Sequence, residues 1–94
     1  MKVLGFNWDT GNWPKCGKHG VSQEEIEYIF HHVPMVQKDP YDGEPRYRAI
    51  GKNHVGRYIF LVFMLRKING KNLIRPISAR YMHEKEIKHY ENNR

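Results

Sequence analysis

Residues 57–77 read RYIFLVFMLRKINGKNLIRPI, two largely apolar runs joined by Asn69-Gly70. Asn-Gly between such runs is the strongest short-range signal for a two-residue β-hairpin turn. The first run, 57–67, is apolar on both faces, which predicts a central strand. The second run, 71–77, should therefore return antiparallel beside it. Pro76 cannot donate to a strand ladder, so it predicts a sheet edge or the end of the strand.

The hairpin turn also predicts which residues face each other. With a two-residue loop, Arg66 pairs with Leu73 and Met64 pairs with Arg75. Arg66 and Arg75 then become diagonal neighbours on one face, about 7–8 Å apart. Two guanidiniums this close require an anion between them, either a phosphate or a carboxylate such as Glu86. The alternative is that both arginines simply bond to carboxylates of a neighbouring helix.

The other elements are predicted from caps and from apolar alternation. Ser22 is a good helix N-cap, Glu25 completes a capping box, and Pro34 stops that helix. A final helix is predicted from Ser78, as its N-cap, to about Glu91. The predicted strands cover residues 3–8, 35–38, 46–52, 57–67 and 71–77. Residues 1–94 should therefore form one α+β domain, an antiparallel sheet packed with two helices, in the order β-α-β-β-β-β-α.

Charge is distributed unevenly along the 94 residues, whose net charge is +6. Twelve basic and three acidic residues follow residue 45. A strongly basic half favours a polyanionic partner such as RNA, the alternative being an ordinary solvated surface. The single Cys16 excludes an internal disulfide and fits a reducing cytoplasm. No apolar run approaches the ~20 residues of a membrane span, so we expect no membrane partner.

The basic half contains the residue types that cleave RNA without a metal. A base removes the proton of the ribose 2′-OH, arginines stabilise the phosphorane, and an acid protonates the leaving oxygen. Glu86 lies two turns beyond Arg80 on the predicted helix, although Arg80 could pair with Glu84 instead. His19 is a candidate acid or base, or else an ordinary loop histidine bonded to backbone. Histidine and cysteine spacings do not suit zinc, and we expect no metal or cofactor.

Two groups of residues, in the same order as in the family, resemble BrnT-type toxins. The first group is Phe6-x-Trp8-Asp9, Gly11-Asn12, Lys15 and Lys18-His19-Gly20-Val21-Ser22, with Glu24-Glu25. The second group is Arg48-x-Ile50-Gly51, Gly56-Arg57, Arg66, Ile77-Ser78-Ala79-Arg80, Glu86 and Tyr90-Glu91. The resemblance covers nearly the whole chain.

This resemblance implies a RelE-like ribonuclease toxin of a type II toxin–antitoxin pair, which inhibits translation. It implies neutralisation by a BrnA-like ribbon-helix-helix antitoxin, in a hetero-oligomer that binds operator DNA. The catalytic candidates that it suggests are Arg66, Arg75, Arg80, Glu86 and His19. The RNA-binding candidates are Lys18, Arg48, Arg57 and Tyr90. Two rival hypotheses are a catalytically silent module that binds RNA or antitoxin, and a toxin with some other target.

Among these candidates, the arginines should hold the scissile phosphate and stabilise its charge. Glu86 or His19 would act as the base, and His19, Lys18 or Tyr90 as the acid. These proton-transfer alternatives stay open at the level of sequence.

Overall fold

Four antiparallel strands form one sheet, in the spatial order β1-β2-β3-β4. A computed structural model describes residues 4–93 of the chain. Its strands are β1 (Met35–Lys38), β2 (Tyr47–Lys52), β3 (Tyr58–Ile68) and β4 (Lys71–Tyr81), and its helices are α1 (Gln23–His31) and α2 (Glu84–Asn92). The predicted α+β class, with an antiparallel sheet and two helices, is confirmed. The observed order is α-β-β-β-β-α, and the RelE-like description stays a prediction.

Helix α1 begins as its capping box predicts. The Ser22 hydroxyl accepts a bond from the Glu25 backbone N–H (3.1 Å), and the Glu25 carboxylate accepts one from the Ser22 N–H (3.0 Å). The helix ends at His31, ahead of Pro34. Its apolar stripe is buried against the sheet, with the ring of Phe30 4.9 Å from that of Phe63. The stripe consists of Ile26, Ile29 and Phe30.

The two faces of the sheet are covered differently. The face beneath α1 carries the fully buried Ile59, Leu61 and Phe63 of β3 and Ala49 of β2. Because side chains alternate along a strand, the neighbours of these residues belong to the opposite face, which we call the open face. The pairing register assigns to the open face Met35, Gln37, Arg48, Ile50, Phe60, Val62, Met64, Arg66, Leu73, Arg75, Ser78 and Arg80.

The hairpin between β3 and β4 has the register that its turn predicts. Met64 pairs with Arg75, and Arg66 pairs with Leu73. The turn residues Asn69 and Gly70 both have positive φ, 51° and 78°. This combination is characteristic of the type I′ turn that Asn-Gly favours, since that turn needs positive φ at both central positions.

The prediction for the end of β4 was wrong. The strand runs on to Tyr81, and Ser78 lies within it instead of capping a helix. Pro76 does not end the strand, because its carbonyl accepts a bond from the Asn12 side-chain amide (3.0 Å) on the outer edge. In a strand, the N–H and C=O of one residue point to the same side. The missing N–H of Pro76 therefore costs no bond to β3.

Helix α2 consequently begins five residues later than predicted, at Glu84. Its N-cap is His83, whose backbone N–H donates to Glu86 Oε1 (2.9 Å). This bond is the carboxylate half of a capping box. Glu86 thus lies in the first turn of α2 and not in the middle of a long helix.

The predicted first strand was also wrong over residues 4–8, while Val3 lies outside the described residues. Phe6 forms a single parallel bridge to Ile74 at the outer edge of β4. The Ile74 N–H bonds to the Gly5 carbonyl (3.0 Å), and the Asn7 N–H bonds to the Ile74 carbonyl (2.8 Å). Pairing stops there, because Pro76, the next residue whose backbone groups point to the outer edge of β4, has no N–H to donate.

The two serines provide a matched test of these helix boundaries. Ser22→Ala should lower the free energy of unfolding by about 1 kcal/mol, since it removes an N-cap. Ser78→Ala should change it by less than about 0.5 kcal/mol, since the Ser78 hydroxyl makes no hydrogen bond within residues 4–93. Urea denaturation of both variants measures the difference. Equal losses for the two variants would contradict the assignment of Ser78 to a strand.

Candidate functional site

A β-bulge in β4 determines which of its side chains reach the open face. Phe63 pairs with Pro76, whereas Val62 pairs with Ser78. Ile77 is therefore an extra residue with no partner of its own on β3. One extra residue shifts the alternation of the strand beyond it by one position.

The bulge brings three arginines to one face. Arg75 and Arg80 are five positions apart and would lie on opposite faces of a regular strand. With the bulge, Arg75 pairs with Met64 and Arg80 pairs with Phe60, which share the open face. Arg66, on β3, lies on the same face. The predicted placement of Arg66 and Arg75 on one face is thus observed, whereas Arg80, which was predicted on a helix, joins them on the sheet.

Arg80 is held by a two-bond ion pair with Glu86. The distances are 2.7 Å from Nη1 to Oε1 and 2.8 Å from Nη2 to Oε2. The hydrogen bonds from Arg80, and then that from the His83 backbone, lower the pKa of Glu86 to about 2. In turn, the hydrogen bonds that Arg80 donates to Glu86 raise the pKa of Arg80. A carboxylate with so low a pKa is a weak base at neutral pH, so its effect here is to orient the guanidinium.

Arg75 is anchored by the N-terminal loop. Its Nη1 donates to Asn7 Oδ1 (2.7 Å) and to Asp9 Oδ2 (3.0 Å), and its Nη2 donates to Asp9 Oδ1 (3.0 Å). These bonds, and then the Gly11 N–H, lower the pKa of Asp9, to which the charge of Arg66 also contributes. The carboxylate beside the two arginines is therefore Asp9, and it comes from a loop and not from a helix.

Arg66 and Arg75 differ in what remains available for a ligand. The Arg75 side chain is only 11% exposed. Arg66 is exposed, and it makes no hydrogen bond or ion pair within the described part of the chain. Arg66 is thus the cation of the pair that is free to meet an external anion.

Helix α2 covers one end of the open face and leaves a cleft between itself and the sheet. Tyr58 of β3 anchors the helix, with its hydroxyl 3.1 Å from Glu91 Oε2 and its ring 5.7 Å from that of Tyr90. The space enclosed, which we call the sheet–helix cleft, is about 640 Å³. Its apolar lining is Met35, Ile50, Phe60 and Met82, and its polar lining includes Gln37, Arg48, Lys85, Glu86, His89 and Tyr90.

Arg48 enters this cleft in a fixed position. Its Nε donates to Asp39 Oδ2 (2.7 Å), while Asp39 Oδ1 accepts the backbone N–H of Tyr41 (3.0 Å). The bond from Arg48 is the main reason that the pKa of Asp39 is lowered. Because only Nε is engaged, the outer edge of the guanidinium remains available to a ligand.

The other predicted residues lie on the opposite side of β4. Tyr81 follows Arg80 and belongs to the face that carries α1, where its hydroxyl donates to the Glu25 carboxylate (2.9 Å). The Arg57 guanidinium stacks over the Tyr81 ring at 3.6 Å. Lys18 and His19 are exposed, in the turn that leads into α1. The structure therefore does not bring Lys18, His19 and Arg57 together with the arginines of the open face.

Sequence reasoning missed several residues of this region. Asp9 and Asp39 were not recognised as partners of arginines, because both contacts join segments that are distant in sequence. Gln37 could have been found, since the alternation of β1 and β2 places it opposite Arg48. Cys16 is buried, and burial raises the pKa of its thiol to about 11, which is unsuited to a nucleophile.

These features define a small α+β domain with arginines gathered on the sheet face opposite α1. The chain belongs to the BrnT family, described as ribonuclease toxins of type II toxin–antitoxin systems, whose family model matches residues 8–86. The resemblance found in the sequence is thus confirmed, and membership implies an antitoxin partner. A search of curated proteins finds no match. Within residues 4–93, no helix has the length and apolar character needed to cross a membrane.

Removal of the Arg80 partner should change the titration of Glu86. In Arg80→Gln, the pKa of Glu86 should rise from about 2 toward its ordinary value of 4.5, as measured by NMR of the carboxyl carbon. Arg57→Gln makes the same change in charge on the other face and should leave this pKa unaltered. A pKa that stays near 2 in Arg80→Gln would show that the ion pair is not its cause.

The same pair has a predictable effect on stability. The pKa of Glu86 is lower in the folded protein than its ordinary value of 4.5. The stabilisation of the fold by this ion pair is therefore complete above pH 4.5 and disappears as the pH falls toward 2. Both side chains are more than a third exposed, so the contribution at neutral pH should be only about 0.5–1 kcal/mol. The difference in unfolding free energy between wild type and Arg80→Gln should therefore decrease across this pH window.

Proposed function

We propose that this chain is a metal-independent endoribonuclease, which cleaves RNA by attack of a ribose 2′-OH on the adjacent phosphate and thereby inhibits translation. The observation that supports this most strongly is the grouping of Arg66, Arg75 and Arg80 on the open face, which the bulge at Ile77 produces. Guanidiniums bind phosphate oxygens through paired hydrogen bonds and stabilise the charge of a phosphorane. Membership of a ribonuclease toxin family supports the reaction class.

The three arginines have different roles in this proposal. Arg66 contacts the scissile phosphate directly, since it is exposed and in no ion pair of residues 4–93. Arg80 pairs with Phe60, six positions from Arg66 along the sheet, so its guanidinium, positioned by Glu86, contacts an adjoining part of the RNA. Arg75 is only 11% exposed and is paired with Asp9, so its role is to hold Asn7 and Asp9 of the N-terminal loop beside this face.

Proton transfer needs groups other than Glu86. A pKa of about 2 makes Glu86 a poor base at neutral pH, so we assign it to positioning Arg80. Lys18 and His19 precede Gly20, whose carbonyl lies 3.5 Å from the Tyr81 hydroxyl on the face that carries α1, and Tyr90 lines the sheet–helix cleft. His19 as base, and Lys18, Tyr90 or His19 as acid, stay predictions. If the pH–rate profile of His19→Gln still shows an ionisation near neutral pH, His19 is excluded as the catalytic base or acid.

Family membership also supports the partner that we propose. We infer that a BrnA-like ribbon-helix-helix antitoxin neutralises this chain and that the resulting hetero-oligomer binds operator DNA. The chain carries a net charge of +6, which suits an acidic antitoxin segment. Operator DNA, itself a polyanion, would be read by the antitoxin part.

One observation favours a second candidate function. Carboxylates already pair with two of the clustered arginines, Arg75 with Asp9 and Arg80 with Glu86. Such pairing fits a catalytically inactive module with the same fold, which binds RNA or antitoxin through its remaining cations. Binding of RNA without cleavage would identify this function.

The test is incubation of the purified protein with RNA in EDTA, followed by analysis of the fragment ends. Wild type should leave 2′,3′-cyclic phosphate ends. Arg66→Gln should reduce the rate about 10²-fold or more, comparable to the loss of one charge-stabilising donor. Lys38→Gln is the matched control, because Lys38 is exposed on the face that carries α1 and should leave the rate unchanged.

Two results would contradict the nuclease proposal. A requirement for added divalent metal would exclude the metal-independent mechanism. Equal rates for wild type and Arg66→Gln, with circular dichroism showing both folded, would remove Arg66 from the site.

A further inference from the structure

We propose that the sheet–helix cleft is a binding site for one unpaired guanine base of the RNA. This inference rests on the proposed function, in which RNA is the substrate, and it adds which base the cleft selects. It follows from the shape of the cleft, from the pairing of its charges and from the free edge of Arg48.

The shape of the cleft suits a flat, partly apolar ligand. Its volume of about 640 Å³ lies in the range typical of small-molecule sites. Met35, Ile50 and Phe60 of the open face form an apolar floor. Proteins that bind unpaired bases stack them on such aromatic and apolar side chains, because every base has two flat faces.

The charges of the cleft favour a base over a phosphate. The guanidinium that lines the cleft, Arg48, is paired with Asp39 (2.7 Å), and the Glu86 carboxylate of the lining is paired with Arg80 (2.7 Å). A phosphate entering here would meet these carboxylates as like charges, whereas a neutral base would not. The cations without an ion pair in residues 4–93 lie mostly elsewhere, as Arg66 does at the far end of the open face. Lys85, on the rim, suits the phosphate that is attached to the base.

The free edge of Arg48 favours guanine among the bases. Asp39 engages only Nε, and neither Nη1 nor Nη2 makes a hydrogen bond within the described residues. Two adjacent N–H donors match the O6 and N7 acceptors of guanine. Adenine presents an N6 donor at the position of O6, which would face the donors of Arg48. Gln37, paired with Arg48 in the strand register, adds an amide to the same wall.

A titration with nucleotides tests this site independently of cleavage. The probes are 5′-GMP, 5′-AMP and ribose 5-phosphate, and the readout is the methyl NMR signals of Met35, Ile50 and Met82, which line the cleft. GMP should shift these signals and bind at least about 5-fold more tightly than either other probe, since a bidentate contact to guanine discriminates by about 1–3 kcal/mol.

Variants of Arg48 isolate its contribution. Arg48→Gln should reduce the preference for GMP to less than about 3-fold. Arg48→Lys keeps the charge and can still pair with Asp39, so it serves if the first variant does not fold; it should lose the same preference, because an ammonium lacks the paired donors. Lys38→Gln, the control on the other face, should bind all three probes as wild type does.

The outcomes separate this inference from the proposed function. Equal affinities for the three probes, or shifts at methyl groups outside the cleft, would overturn the guanine site even if the protein cleaves RNA. Selective binding of GMP by a protein that does not cleave RNA would support the site and overturn the nuclease. A GMP preference that survives both Arg48 variants would remove Arg48 from the recognition and overturn the proposal.

Discussion

One extra residue in β4 determines the arrangement of charge on this domain. The bulge at Ile77 allows Arg75 and Arg80, five positions apart, to share the open face with Arg66. Pro76 is compatible with the bulge because its backbone groups point to the outer edge, where the Asn12 amide binds its carbonyl. Without the bulge, Arg80 would lie under α1, where a charged side chain would displace buried apolar groups.

The parts of the fold that local chemistry specifies were predicted well. The Asn69-Gly70 turn fixes the β3–β4 register, and the Ser22–Glu25 box fixes the start of α1. The end of β4 was not predictable in the same way, because Pro76 indicates either a sheet edge or the end of a strand, and only the sheet edge is observed. Ser78 added a false N-cap signal, whereas the true N-cap, His83, belongs to a residue type with weak capping preference. The strand continues past Pro76 because hydrogen bonds form at the outer edge of β4 despite these local signals.

Of the residues in the candidate site, only the positively charged ones were predictable from the sequence. Arg66 and Arg75 follow from the hairpin register, and Arg80 with Glu86 was one of two pairings that the sequence left open. The carboxylates that hold the other arginines are distant in the chain: Asp9 lies 66 positions from Arg75. Burial and hydrogen bonding across such separations depend on the packed fold, and no periodicity in the sequence encodes them. For the same reason, the sequence could not separate His19 from the arginine cluster.

The pairing of arginines with carboxylates has a consequence for selectivity. Partly exposed ion pairs contribute only about 0–1 kcal/mol to stability, so holding the fold together does not account for them. Their larger effect is to fix flexible guanidiniums, since ordering each such side chain on binding costs about 0.5–1.5 kcal/mol. A guanidinium that is both fixed and neutralised retains its hydrogen-bond donors but loses much of its attraction for phosphate. We therefore propose that the open face divides its cations between two tasks: Arg66 attracts the RNA backbone, and Arg48 discriminates among the neutral edges of its bases.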